Sequence, residues 1–265
     1  MPLWYSLDET RPDVIANKSV NSKADTPTRG YEAFQSILAE VGSTAGTGVR
    51  LFVTSPILAT FTTWSAFSFG LVFISTQSTA QVFGTLYDFD DVQIGLVQAS
   101  LVIGEVLGLP ACVIQNELFA RKGVDSKGAV RNAEARLYMS APASLVGLTG
   151  GLFMYGWSSF AYVPWIVPCI GLALEGFGIM VVVQAVGTYI TDAYPKNANS
   201  AIATVAFGEN MFAAFLPLAA QSMYTTLGFN WASSLLGFLA LVLSCAPIAL
   251  LLFGDRIRAR SVIQK

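Results

Sequence analysis

Three carboxylates, Glu105, Glu175 and Glu209, stand inside long apolar runs of this chain. A charge near the centre of a bilayer costs about 2.5–3.5 kcal/mol even on lenient insertion scales, so such residues face a bundle interior or a water-filled path. Burial disfavours the charged form, and a buried carboxyl can then exchange a proton near neutral pH, which is what a proton-coupled membrane protein needs of its titrating group. The alternative for each is structural: a protonated Glu hydrogen-bonded to a neighbouring helix.

Small residues surround the acids. Gly171, Gly176 and Gly178 flank Glu175, Gly104 and Gly108 bracket Glu105, and Pro217 comes after Glu209 as an expected kink. Such glycines allow close helix packing, and they also loosen a helix where a rocking bundle must bend. Trp64, Phe67 and Tyr189 are the aromatics placed to line a substrate path, with packing against lipid or another helix as the competing fate. The six named carboxylates and aromatics are thus the candidates for a substrate or proton pathway, and the five glycines with Pro217 for helix flexibility or packing.

Composition narrows the chemistry. The chain has no His, which removes His-based acids, bases and metal ligands. Cys112, Cys169 and Cys245 all fall in apolar runs, where they read as small packing residues. No HExxH, GxSxG, P-loop or CxxC occurs, so neither a catalytic residue, a metal nor a cofactor is expected, and the chain reads as other than an enzyme. The basic residues carry no aromatic interleaving and give no nucleic-acid footprint.

The elements that must position these residues are set by hydropathy and charge. Apolar segments run from Leu51 to about Ser78, Val92 to Gln115, Leu137 to Trp157, Pro164 to Ile190, Ala198 to Leu227 and Trp231 to Gly254. Each suffices to cross a hydrocarbon core of about 30 Å, which takes about 20 helical residues. All fifteen Lys and Arg lie in 11–50, in 121–136, at Lys196 or in 256–265. Connections after the first, third and fifth segments therefore lack basic residues, which predicts both termini in the cytoplasm. The expected organisation is an all-α, multi-pass membrane protein. A cytoplasmic segment spans 1–50, a six-helix bundle 51–254 and a basic tail 255–265. Within the first of these, Tyr31, Phe34, Leu38 and Val41 make an apolar stripe over 29–41, either an interfacial helix or a short helix in a linker.

The distal half carries a recognisable pattern. Gly187-Thr-Tyr-Ile-Thr-Asp-Ala-Tyr-Pro195, Ala198 to Ala206, Ala213-Ala-Phe-Leu-Pro-Leu218, Met223-Tyr224, Leu227-Gly228, Trp231 to Ala240 and Gly254 to Ser261 occur in order. The series resembles the last three helices of fungal drug:proton antiporters of the major facilitator superfamily. Upstream, Asn132-Ala-Glu-Ala-Arg-Leu137 looks like the lead into that family's ninth helix, Thr54-Ser-Pro-Ile57 like the start of its seventh, and Asp8-Glu-Thr-Arg-Pro12 like the stretch just after its sixth. The resemblance covers nearly the whole chain but only helices seven to twelve of the family's twelve. It implies two inverted three-helix repeats, half of a major facilitator fold. It also implies efflux of drugs, toxins or secondary metabolites in exchange for protons, with the plasma membrane as location. Glu209 departs from the pattern, because many members carry Arg there. The implied partners are the lipid bilayer, a small-molecule substrate, protons and either a second copy in a homodimer or a separate N-terminal half. The alternative is a truncated, non-transporting membrane protein, or a regulatory partner of full-length carriers.

The charge sorting generates a test of orientation. Tags fused before Met1 and after Lys265 should both resist external protease on sealed cells, and cleavage of either would overturn the six-span map.

Overall fold

The computed structural model describes Gly42 and residues 46–122 and 136–260, with side chains described at Gly42, 46–117 and 136–250. All but Gly42 belong to the compact unit Thr44–Lys265. The apolar stripe at 29–41, the Asn132-Ala-Glu-Ala135 segment and the last five residues lie outside the described residues, as do both termini.

Every regular element among the described residues is helical. After a helical stretch at 46–54 come α1 (Pro56–Leu86) and α2 (Asp91–Lys122). A composite α3 comes next, made of Ser140–Pro142, a π-helical stretch Ala143–Thr149 and Gly150–Ser158. The last three are α4 (Ile166–Ala193), α5 (Ala198–Leu227) and α6 (Phe229–Arg260). Five helices are long and apolar enough to cross a membrane: Pro56–Leu86, Asp91–Glu117, Ile166–Ala193, Ala198–Leu227 and Phe229–Leu250. The expected span at Leu137–Trp157 is helical over most of its length but broken into three segments, so that no single α-helical piece there is of crossing length.

Local chemistry sets the boundaries. Ser55 caps α1 by accepting the Leu58 N–H at 3.4 Å, and Pro56 takes the first helical position, where a missing N–H costs nothing. This moves the start of α1 inward from Leu51, while its far end runs on to Leu86. Asp90 and Gln93 bond reciprocally at the entry to α2, each side chain accepting the other's backbone N–H, at 2.8 and 3.0 Å respectively. Gly228 alone joins α5 to α6, at φ 79°, a conformation that a side chain would strain.

Packing centres on α1 and α4. The first packs most extensively on α5, and α4 on α2 and both longer segments of α3. Close approach on α4 is made by glycine. A Cβ on Gly104 or Gly176 would run into the backbone carbonyl of Ala173 or Leu101 respectively, across the α2–α4 contact. On the opposite side of α4, a Cβ on Gly178 would meet the Leu148 backbone. One on Gly171 would lie 2.7 Å from the Tyr155 nitrogen, and one on Gly151 2.5 Å from that of Glu175. Gly147 of the π-helical stretch faces Gly178, so the widened turn sits where α3 and α4 come closest. Outward, α2 presents Val92, Leu96, Val102, Ile103, Val106 and Leu107, a face suited to lipid.

Gly176→Val and Gly178→Val should each destabilise the bundle by about 1–3 kcal/mol or more, because backbone rather than a flexible side chain must move. Gly187→Ala, with nothing within 4 Å of the added carbon, should be tolerated. Thermal unfolding in detergent measures the difference, and equal behaviour of all three would refute the close contacts.

Candidate functional site

The site is built on α1, which carries the buried hydroxyls Thr62, Ser65, Ser68, Ser75, Ser78 and Thr79. Some of these bond back to their own helix: Ser68 donates to the Trp64 carbonyl at 2.9 Å, and Thr79 to that of Ser75 at 2.7 Å. Two reach acids on other helices. Ser75 Oγ donates to Glu175 Oε1 of α4 at 2.6 Å, and Ser65 Oγ donates to Glu209 Oε1 of α5 at 2.5 Å. One helix therefore holds two of the three acids, each by a single hydroxyl.

Glu175 is completely buried. Its second oxygen, Oε2, has no hydrogen-bond partner among the described residues. The five crossing helices contain no Lys or Arg, so no cation within them offsets its charge. Around it lies a cluster of hydroxyls drawn from α1, α3, α5 and α6. The Tyr155 hydroxyl pairs with Ser78 Oγ at 3.1 Å, and that of Tyr224 with Ser233 Oγ at 3.2 Å. An unpartnered carboxyl oxygen inside a fully buried polar cluster is suited to binding and releasing a proton.

The other candidates lie apart from this cluster. Glu209 is half-buried and rests on Ser65. Glu105 is half-buried on α2, beside the point where Gly176 meets that helix, with no hydrogen bond among the described residues. Trp64 and Tyr189 are wholly enclosed in one apolar cluster, where Phe61 stacks edge-on to Trp64 at 5.8 Å and tilted over Tyr189 at 5.0 Å. Phe67 belongs to the next cluster, with Leu71, Leu148 and Leu236. Gly108 abuts Met180, and Pro217 sits half-buried in an α5 that continues through it.

The ends of the bundle are pinned by polar contacts. At the end bearing the acidic turn, the Tyr87 hydroxyl reaches the Phe160 and Val163 carbonyls at 3.2 and 3.0 Å, and burial pushes its phenol up from the ordinary value. At the opposite end, Arg136 Nε pairs with Asp192 Oδ2 at 2.7 Å and its Nη1 donates to Asn116 Oδ1 at 2.6 Å, linking α2, the lead into α3, and α4. There the Tyr194 hydroxyl lies 2.5 Å from Ser55 Oγ; burial pushes that phenol up, with the serine bond pulling the other way. Ser65, Ser75, Tyr155 and Tyr224 are not among the substrate- or proton-pathway candidates that the sequence offers. The signal for the serines was present, since Ser65, Ser68, Ser75 and Ser78 recur at helical spacing within one apolar run.

Long apolar helices enclosing the buried carboxyl of Glu175 define an integral, multi-pass membrane protein. The chain is 35% identical to the MFS transporter cpaT of Aspergillus oryzae over 81% of its own length and 43% of that protein. It is 29% identical to the MFS-type transporter mpsC of Macrophomina phaseolina over 97% of its length and 52% of that protein. It is 32% identical to the efflux pump radE of Floropilus chiversii, over 81% and 40%. This chain is therefore a relative of fungal major facilitator superfamily transporters and efflux pumps, and it spans about half the length of the curated relatives it matches. No protein-family model matches it. No solved structure matches it either.

Because no cation offsets Glu175, Glu175→Gln should keep stability within about 1 kcal/mol, whereas Glu175→Ala should lose about 2 kcal/mol or more through the cavity and the stranded Ser75 hydroxyl. Midpoints of thermal unfolding in detergent decide this, and equal losses would mean that Ser75 and Glu175 do not hold one another.

Proposed function

We propose that this chain is the C-terminal half of a proton-coupled major facilitator exporter, with Glu175 as its proton-exchanging group. The observation that carries the reading is the buried, singly bonded Glu175 in a chain whose relatives are named as transporters and an efflux pump. Its substrates would be drugs, toxins or secondary metabolites, moved outward against proton entry, and no enzymatic step is needed for that. Six spans as two inverted three-helix repeats, with α3 as the third span, both termini cytoplasmic and the plasma membrane as location complete the proposal. Glu105 and Glu209 are secondary proton candidates, and Trp64, Phe67 and Tyr189 act by shaping the path from within the packed wall. Gly104, Gly108, Gly171, Gly176, Gly178 and Pro217 set how closely and at what angle the helices move past one another.

Alternating access requires a second six-helix half. A second copy of the chain or a separate N-terminal half would supply it. The alternative reading is a truncated, non-transporting membrane protein, or a regulatory partner of full-length carriers.

Efflux of an apolar fluorescent dye from vesicles under an imposed pH gradient tests the proposal. The chain, alone or co-expressed with an N-terminal half, should drive efflux, and Glu175→Gln should abolish it without lowering expression. Unchanged efflux in Glu175→Gln would remove the proton role, and no efflux under either condition would leave the non-transporting reading in its place.

A further inference from the structure

The contacts of α1 go further than the assignment of Glu175. Its two acid-binding serines are ten positions apart on a helix that rises about 1.5 Å per residue, so they grip different helices at different depths. Each bond is made by a side chain with a spare acceptor site but a single proton to donate, and that proton goes to Oε1 in both cases.

We propose that Ser75 and Ser65 are positioning residues for Glu175 and Glu209, and that Ser75 fixes Glu175 Oε1 as an acceptor so that Oε2 is the atom that takes up and releases the proton. The assignment of the proton rests on the proton-exchange reading above; the assignment of the serines does not. The step balances without any further reagent than water. A proton leaves a hydronium ion and forms an O–H bond at Oε2, and on release that bond breaks and its electron pair stays on Oε2. Ser75 keeps its own proton throughout.

The surroundings support a single exchanging atom. From α1, Ser75 meets Glu175, and Ser78 and Thr79 bond back to the Ser75 carbonyl; α1 has no ionisable residue. From α3 and α5 come Tyr155 and Tyr224, each already paired with a serine. On α2, Glu105 stands where its backbone nitrogen abuts Gly176, Cys112 lies in a separate cluster with Val181, and Asp91 and Glu117 lie at the two ends of the crossing segment. On α4 itself Cys169 lies near the end at Tyr87. None is a cation, and Oε2 alone among the carboxyl oxygens of Glu175 lacks a donor.

Infrared spectroscopy of the purified full chain, recorded at acidic pH, tests this directly. The spectrum of the unmodified chain minus that of Glu175→Gln isolates the Glu175 carboxyl C=O stretch. Ser75→Ala should move that band to higher frequency, because Oε1 loses its donor. Ser75→Thr should restore it, and Ser68→Ala, which removes a hydroxyl bonded only within α1, should leave it in place. In the transport assay Ser75→Ala should slow efflux by about tenfold or less, the worth of one hydrogen bond, with rescue by Ser75→Thr. A band unmoved by Ser75→Ala, or moved as far by Ser75→Thr, would overturn the assignment. If Ser75→Ala does not fold, Ser75→Cys, a weaker donor, should shift the band part of the way, and an unshifted band there would overturn it equally. Loss of the transport reading leaves the band test standing, so the two fail separately. Glu209 is read in the same way from Glu209→Gln and Ser65→Ala.

Discussion

Everything in this bundle depends on a solvent that offers no hydrogen bonds. Inside hydrocarbon each unsatisfied backbone group costs several kcal/mol, which leaves helices as the spanning form for a chain of this composition. The same constraint governs the side chains. Among the hydroxyls of α1, Ser68 and Thr79 return to their own helix, Ser65 and Ser75 reach an acid on another, and Ser78 meets the hydroxyl of Tyr155. Two of the three acids are thus tied to one helix, and the tertiary arrangement of α1, α4 and α5 is inseparable from the chemistry of the site.

Glycine supplies the second condition. Hydrophobic burial does little to drive helices together in lipid, so close van der Waals contact must do it. Gly104 and Gly176 let α2 and α4 approach to backbone distance, and Gly151, Gly171 and Gly178 do so for α3 and α4. The π-helical stretch in α3 falls in that second contact, where Gly147 meets Gly178. Glu175 lies between the two glycine contacts, which explains how a full-length acidic side chain is enclosed without residual exposure.

The two ends of the bundle carry polar contacts of their own. Arg136 with Asp192 and Asn116 closes one end, and Tyr87 with the 160–163 turn closes the other. The relation to fungal transporters and efflux pumps gives this arrangement its context, over a region about half as long as those proteins.

The sequence by itself determined the class of protein. Apolar length and the absence of Lys and Arg within it are enough to specify helices in a membrane, because the bilayer thickness sets the count of residues and every span must meet it. The ordered motifs from Gly187 to Ser261 pointed to the major facilitator superfamily, and the relatives agree. The acids were legible too, since a Glu in an apolar run has few innocent explanations. Periodicity did not find the π-helical stretch of α3, which falls in a uniformly apolar run and lies where Gly147 meets Gly178. Nor could it pair Ser75 with Glu175, 100 residues away, or Ser65 with Glu209, 144 away. Serine is small and neutral, and its spacing on α1 says which face it occupies but not which helix it meets. Only the tertiary structure decided that, and it alone separated the enclosed Glu175 from the half-buried Glu105 and Glu209.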